Sequence, residues 1–308
     1  MTAIAMFPGQ SSRYPEMIDK LAGAPVAAGL IARASELLGR DLRVQPLATN
    51  RDVQVGVFLA NHLHLALLED RGVTFAWSLG LSLGEYNHLV HIGALSFDDA
   101  LRFVELRGEL YDHATGGKMV SIFPLEAAEI EAVIDRLGLG AEVGIGLYNS
   151  PRQNVISGEA RAVDRVVSVL EHDHYFDATV IEPRIPMHAP CFSRTARNLA
   201  AALEDLAVAP PAHPYLPNTL GELFVNATPS LIRGCLADHV DHPVRWKASV
   251  DAIAAHVSAP IFVEVGPRAV LHNLFGKDWM PGRRAKTDAA EDWGTCLETL
   301  ATELRDAA

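Results

Sequence analysis

Between the apolar run Val73-Thr74-Phe75-Ala76-Trp77 and a stretch of helical spacing that reaches about Ile92, the chain carries Gly80-Leu81-Ser82-Leu83-Gly84. This order constrains the fold more than any other feature. An apolar run of that length reads as a buried strand, and a helix starting so soon after it requires a sharp turn, for which the two glycines leave room. A serine in the middle of such a turn has its hydroxyl exposed at the carboxyl edge of a sheet, the place of an activated nucleophile. The G-x-S-x-G string alone is common. Its position between a strand and a helix is what points to chemistry.

Strand and helix alternate elsewhere too. Ala3 to Phe7 is an apolar run stopped by Pro8-Gly9, and Val53 to Glu69 has helical spacing in Val57, Leu63, Ala66 and Leu67. Phe97 to Tyr111 reads as another helix, with Leu101, Val104 and Leu110 roughly on one face. From Lys118 the texture changes. Met119 to Phe123 is strand-like, Leu125 to Leu137 helical, Val143 to Asn149 and Asn154 to Gly158 strand-like, Ala160 to His172 helical and Phe176 to Ile181 strand-like. That β-α-β-β-α-β order is the ferredoxin-like pattern. The pattern predicts an α/β fold: a large α/β-hydrolase-like domain with a mostly parallel sheet, residues 1–116 and 185–308, and an inserted small ferredoxin-like subdomain, residues 117–184. After the insertion, Ser193 to Leu206 is helical, Ala209 to Pro217 is a Pro-rich connection, Pro260 to Val265 is a buried strand, and a last helix runs from about Trp293 to Arg305.

Composition removes several function classes. Of 308 residues, 49% are hydrophobic and 21% charged, enough to bury a large core, which argues against disorder. The 38 acidic and 26 basic residues give a net charge of -12 with no dense basic stretch, so no nucleic-acid partner is expected. An acidic partner would need a local basic patch, for which Arg152, Arg184, Arg194, Lys277, Arg283, Arg284 and Lys286 are the candidates. Cys191, Cys235 and Cys296 are widely spaced with no C-x-x-C pair, so neither a disulfide framework nor a zinc site is indicated. The first ten residues lack a basic n-region, and no apolar run of ~18 residues occurs. A soluble, cytoplasmic protein that does not engage membranes is expected.

A serine nucleophile needs a base. Among 13 histidines, His188 stands out because Pro186 and Pro190 flank it and hold it on a rigid loop. Local features alone do not raise it above the others.

Taken in order, Phe7-Pro8-Gly9-Gln10, Gly80-Leu81-Ser82-Leu83-Gly84-Glu85-Tyr86, Arg107-Gly108, Asn149 to Gly158, Pro186-Met187-His188-Ala189-Pro190, Pro243-Val244-Arg245-Trp246 and Glu264-Val265-Gly266-Pro267 resemble the malonyl-CoA:acyl-carrier-protein transacylase family, including the acyltransferases of fatty-acid and polyketide synthesis. The resemblance spans about Ile4 to Leu274. It implies that Ser82 is acylated, that His188 is its general base and later acid, and that the backbone N–H groups of Gln10 and Leu83 form the oxyanion hole. It further implies that a backbone carbonyl orients the histidine. That carbonyl belongs to a position usually Gln, seven residues before the tryptophan; here it is His239. Arg107 takes the place of the arginine that pairs with the free carboxylate of malonyl. No permanently bound cofactor or metal is implied. The donor would be an acyl-CoA, the acceptor the phosphopantetheine thiol of an acyl carrier protein, and the enzyme a monomer.

Two positions depart from the pattern or vary within it. Leu81 replaces the histidine of the usual G-H-S-x-G-E and makes the site more apolar, and Met187 stands where specialised acyltransferases vary with the acyl side chain. These leave the acyl unit, the pathway and the choice between CoA and carrier-protein donors open. They also keep alive an acyl hydrolase of the same fold that clears carrier proteins.

Overall fold

The protein is described by a computed structural model, which covers residues 1–44, 46–288 and 293–307. Strand β1 (Thr2–Phe7) lies at the centre of a four-stranded sheet. Helices α1 (Pro25–Leu38) and α2 (Asn50–Glu69) follow, then β2 (Trp77–Gly80), α3 (Gly84–His91) and α4 (Phe97–Asp112). The chain next enters an inserted unit: β3 (Gly117–Phe123), α5 (Ala127–Leu137), β4 (Val143–Tyr148), β5 (Asn154–Glu159), α6 (Ala160–Asp173) and β6 (Asp177–Glu182). It returns through α7 (Ser193–Leu203), α8 (Pro229–Asp238), α9 (Trp246–His256), β7 (Pro260–Glu264), β8 (Arg283–Lys286) and α10 (Trp293–Ala307).

The first sheet has the order β2-β1-β7-β8 and every neighbouring pair is parallel. A parallel sheet is covered on both faces, so its central strands read as continuous apolar runs, as Ile4 to Phe7 and Ile261 to Val263 do. The second sheet, β4-β5-β3-β6, is antiparallel throughout and carries the expected β-α-β-β-α-β order. A hydrophobic cluster confined to this unit, including Ile122, Ile130, Val163 and Leu170, packs α5 and α6 onto one face of it. The chain enters and leaves at one point, where Gly117 N donates to Arg184 O at 2.9 Å. On its far side β4 leans on the larger body, with Tyr148 N donating to Val244 O and Val244 N to Gly146 O.

One strand lies later than the sequence pattern predicts. Val73 to Ala76 form no strand; the paired segment is Trp77–Gly80, in register with Ile4–Phe7. Val73 and Phe75 owe their apolar character to burial in the connection from α2, where Gly72 turns at φ 76° and Val73 N returns to Leu68 O. The helix predicted over Ser193 to Leu206 ends at Leu203. Helices α1, α8 and α9 and strand β8 are additions to the sequence reading. Pro25 at the start of α1 and Gly39 at φ 65° after its end are standard boundary signals. Strand β8, Arg-Arg-Ala-Lys, has no apolar pattern and exists because the edge of β7 is there to pair with. Three of the basic candidates, Arg283, Arg284 and Lys286, thus belong to an edge strand. Cys191 and Cys235 are free thiols, and the side chain of Cys296 lies outside the described residues. No described helix is long and apolar enough to cross a membrane.

Candidate active site

The parallel pairing of β1 with β2 brings two loops together at the carboxyl ends of the strands, the turn Gly80–Gly84 and the loop Pro8–Ser12. Leu81 N donates to Phe7 O at 3.0 Å and ties the two. Both glycines of the turn are obligatory on steric grounds. A Cβ on Gly80 would lie 1.9 Å from Gly84 O, and one on Gly84 would lie 2.1 Å from Phe7 O. Ser82, squeezed between them, has φ 52°. A non-glycine residue in the left-handed region costs about 1–3 kcal/mol and persists only where its surroundings hold it.

The candidate base, His188, follows the insertion in the chain. Ser82 Oγ and His188 Nε2 are 2.8 Å apart, and His188 Nδ1 is 2.8 Å from His239 O. A carbonyl only accepts, so Nδ1 carries the proton, and Nε2 presents its lone pair to the serine hydroxyl. Burial holds the imidazole far below its ordinary value, at about 3. The Arg107 charge adds to the fall, and the carbonyls of His239 and His242 oppose it. The ring is therefore neutral near neutral pH, with the Nε2 lone pair free to accept. His188 sits at φ 62°. Its loop is pinned by His188 N donating to Val240 O at 2.9 Å and by Ser157 Oγ donating to Met187 O at 2.6 Å.

Gln10 opens a short 3-10 turn, and Leu83 precedes the first residue of α3. Neither of their N–H groups is used in the backbone hydrogen bonds of the turns that hold them. Gly9 lets this loop approach the serine turn, since a Cβ there would come within 3.0 Å of Leu81 O. Gln10, Leu81, Ser82, Met187 and His188 line one cleft, closed on its other sides by Met119, Leu147 and Ile181.

Arg107, on α4, is fully buried but is not on the walls of that cleft. Its Nη1 donates to Gln54 Oε1 at 2.5 Å, and the guanidinium lies 4.5 Å from the centre of the Tyr111 ring and 5.6 Å from that of Tyr86. Nε and Nη2, which form one edge of the guanidinium, meet no acceptor. Its charge lowers the proton affinity of His188, His239 and Glu85. A buried charge with no carboxylate partner among the described residues is costly, and an incoming anion would relieve it.

Asn218 and Tyr215 escaped the sequence reading, which quoted Glu85 in its motif but gave it no role. Asn218 Oδ1 accepts from Ser82 N at 2.6 Å while its Nδ2 donates to Gly80 O at 2.7 Å. Glu85 accepts from Tyr215 Oη at 2.5 Å and from Asn218 N at 3.2 Å. Burial raises the Glu85 carboxyl to about 8, against the pull of those two donors and of Arg107. Tyr215 and Asn218 fall in and just after the segment read as a connection. Nothing local marks them, because their partners are more than a hundred residues away in the chain.

The acyl transferase domain family model matches residues 5–280. The chain is 31% identical over 287 residues to the malonyl CoA-acyl carrier protein transacylase of Escherichia coli (strain K12), covering 89% of this chain and 92% of that one. It is 31% identical over 283 residues to a polyketide biosynthesis malonyl CoA-acyl carrier protein transacylase of Bacillus velezensis, covering 87% and 94%. The crystal structure of FabD from Acinetobacter baumannii superposes with a TM-score of 0.91 at 26% identity, over 100% of this chain and 99% of that one. A malonyl-transacylase solved in complex with a type II polyketide synthase acyl-carrier protein superposes with a TM-score of 0.88 at 29% identity, over 97% and 100%. With its serine on a strained turn and its fold shared along the full length, the protein belongs to the acyl transferase domain family and is an acyltransferase.

Proposed function

We propose that the protein takes a malonyl group from a CoA thioester onto Ser82 Oγ and delivers it to the phosphopantetheine thiol of a separate acyl carrier protein, in fatty-acid or polyketide synthesis. The observation that carries the choice of acyl group is the unused Nε–Nη2 edge of Arg107, a buried cation that takes a carboxylate side-on once the substrate opens the cleft toward it. An acetyl group would leave that edge unpaired. The names and the carrier-bound structure among the relatives support the same donor and acceptor.

In the first half-reaction, Ser82 Oγ attacks the thioester carbonyl and its proton passes to His188 Nε2. The oxyanion forms against the N–H groups of Gln10 and Leu83. The C–S bond then breaks and the thiolate of CoA takes the proton from His188. In the second half, the carrier thiol gives its proton to His188, its sulfur attacks the ester, and Ser82 leaves with that proton. The contact that orients His188 is the carbonyl of His239, which a residue other than Gln can supply equally well. Each step moves a proton or an acyl group, so the reaction has no need of a resident cofactor. Ser82, His188 and Arg107 come from one chain, which supports a monomer as the working unit. Residues 117–184 act as a small subdomain that walls the cleft with Met119, Leu147 and Ile181 against the large domain of residues 1–116 and 185–308. Leu81 and Met187 line a small cleft of about 50 Å3, which supports a short acyl unit.

Intact-protein mass spectrometry after mixing with malonyl-, acetyl- and longer acyl-CoA, followed by addition of carrier protein, tests this reading. Malonyl should add to the wild type, not to Ser82→Ala, and should move to the carrier. Label on the alanine variant, or an ester that water clears and the carrier never receives, would overturn it, the latter in favour of an acyl hydrolase.

A further inference from the structure

Ser82 and His188 are held by separate parts of the chain, yet their supports meet at one buried carboxyl. Asn218 uses both ends of its amide on the serine turn, accepting from Ser82 N and donating to Gly80 O. It thereby spans the strained residue and closes the turn from outside. The backbone N of Asn218 is fixed by Glu85 Oε2, and Tyr215 Oη, from the same segment, is fixed by Glu85 Oε1. Glu85 itself stands in the first turn of α3, immediately after the serine turn. On its other side, Glu85 Oε2 lies 3.4 Å from Nε2 of His239, the residue whose carbonyl orients His188. Glu85, Asn218 and His239 are 1%, 2% and 0% exposed, so water offers no substitute for any of these contacts.

We infer that Glu85 and Asn218 are positioning residues, a bridge that keeps the Ser82 turn and the carbonyl anchor of His188 in one register so that Oγ and Nε2 remain at reacting distance. The inference rests on the Ser82–His188 assignment above and adds residues that touch neither substrate nor the reacting atoms. The groups facing the Glu85 carboxyl are Tyr215, Asn218, His239, Arg107, Tyr86 and Cys235. Burial favours its neutral acid form, which accepts from Tyr215 and Asn218, while the neutral His239 ring packs against Oε2 at 3.4 Å without a hydrogen bond to it. A glutamine amide keeps both contacts, its oxygen accepting from Asn218 N and its NH2 donating to Tyr215 Oη, which turns from donor to acceptor.

Single-turnover acylation of Ser82 by malonyl-CoA, steady-state kcat and KM, and thermal melting should be measured for Asn218→Ala, Asn218→Asp, Glu85→Ala and Glu85→Gln. A turn displaced by a fraction of an ångström loses up to about 100-fold in rate, so Asn218→Ala should lose tens of fold in acylation and kcat, with KM changed less than about twofold. Asn218→Asp is nearly isosteric and should fold, but it sets a carboxylate oxygen against Gly80 O and should lose at least as much as the alanine variant. Glu85→Ala should fall by a similar factor, and Glu85→Gln should recover most of the rate. Melting temperatures that drop while the acylation rate stays within threefold would reduce both residues to packing and overturn the inference. So would a Glu85→Gln variant no better than Glu85→Ala. Wild-type protein that fails to acylate at Ser82 would instead sink the parent reading, which the same mass spectra reveal.

Discussion

Ser82 stands on five consecutive residues whose geometry is dictated by their own glycines, whereas His188 stands on a loop held by Ser157 of β5 and by His239 and Val240 in the turn after α8. The first arrangement is rigid because alternatives collide. The second is rigid because many weak ties converge. A steric constraint fails all at once when a single atom is added, while a converging set loses one tie at a time. The two halves of the proposed catalytic pair should therefore respond to mutation in different ways.

The sharpest break comes from Gly84→Ala. Its Cβ would lie 2.1 Å from the carbonyl oxygen of Phe7, a backbone atom of the central strand, so a loss of about 3 kcal/mol or more is expected. Thermal melting and acylation of the soluble fraction should both collapse. A variant that melts normally would mean that the turn has another way to close.

Next in size is Arg107→Ala, which removes a buried charge that acts on His188. Losing one partner of a desolvated pair costs on the order of 2–5 kcal/mol, read as a fall in kcat/KM for malonyl, with acetyl gaining relative to it. His188 should become easier to protonate in this variant, because the Arg107 charge contributes to its low proton affinity. Equal losses for malonyl and acetyl would show that the guanidinium does not meet the acyl carboxylate.

The pH response separates the two halves again. Folded His188 accepts a proton only at about 3, against about 6.5 in the unfolded chain, and His62, His64, His88 and His91 are likewise held at about 3 to 4 by burial. The stabilisation of these neutral rings is complete above about 6.5 and is lost as pH falls from there toward 3, because the unfolded chain binds protons that the folded one refuses. Melting temperature should thus fall with acid while kcat/KM of the still-folded enzyme shows no inflection near 6.5. An inflection there at constant melting temperature would place the His188 ring in contact with solvent.

The smallest effect tests a single tie. Ser157→Ala removes the hydrogen bond to Met187 O and should cost about 1 kcal/mol, with kcat lowered a few-fold and the melting temperature slightly reduced. A loss as large as that of Gly84→Ala would erase the distinction between the two sides.

The same contrast governs what could be read in advance. The Gly80–Gly84 turn was legible because its causes are adjacent residues, and β1, α4 and the alternation within residues 117–184 were legible because apolar periodicity reflects burial on a face. His188 and His239 entered by family resemblance, and the structure places Nδ1 of one on the carbonyl of the other. Strand β2 was misplaced by about four residues because Val73 and Phe75 are buried without being paired. Strand β8 had no pattern to read, as its residues are mostly exposed and pair only through backbone. Asn218, Tyr215 and the role of Glu85 were invisible for a related reason. A hydrogen bond made across 130 residues leaves no trace in local spacing.

The peptide carbonyl that orients His188 has an electrical consequence. A carboxylate in that place would carry a full negative charge into the neighbourhood of Arg107, whose field already reaches both His188 and His239. The guanidinium would then be neutralised from within, and the nascent oxyanion and any acidic acyl group would face a resident anion. A carbonyl dipole fixes the tautomer just as firmly and brings no net charge. The interior around Ser82 thus stays poised for negative guests, so that an acid introduced at position 239 should repel the substrate it was meant to help.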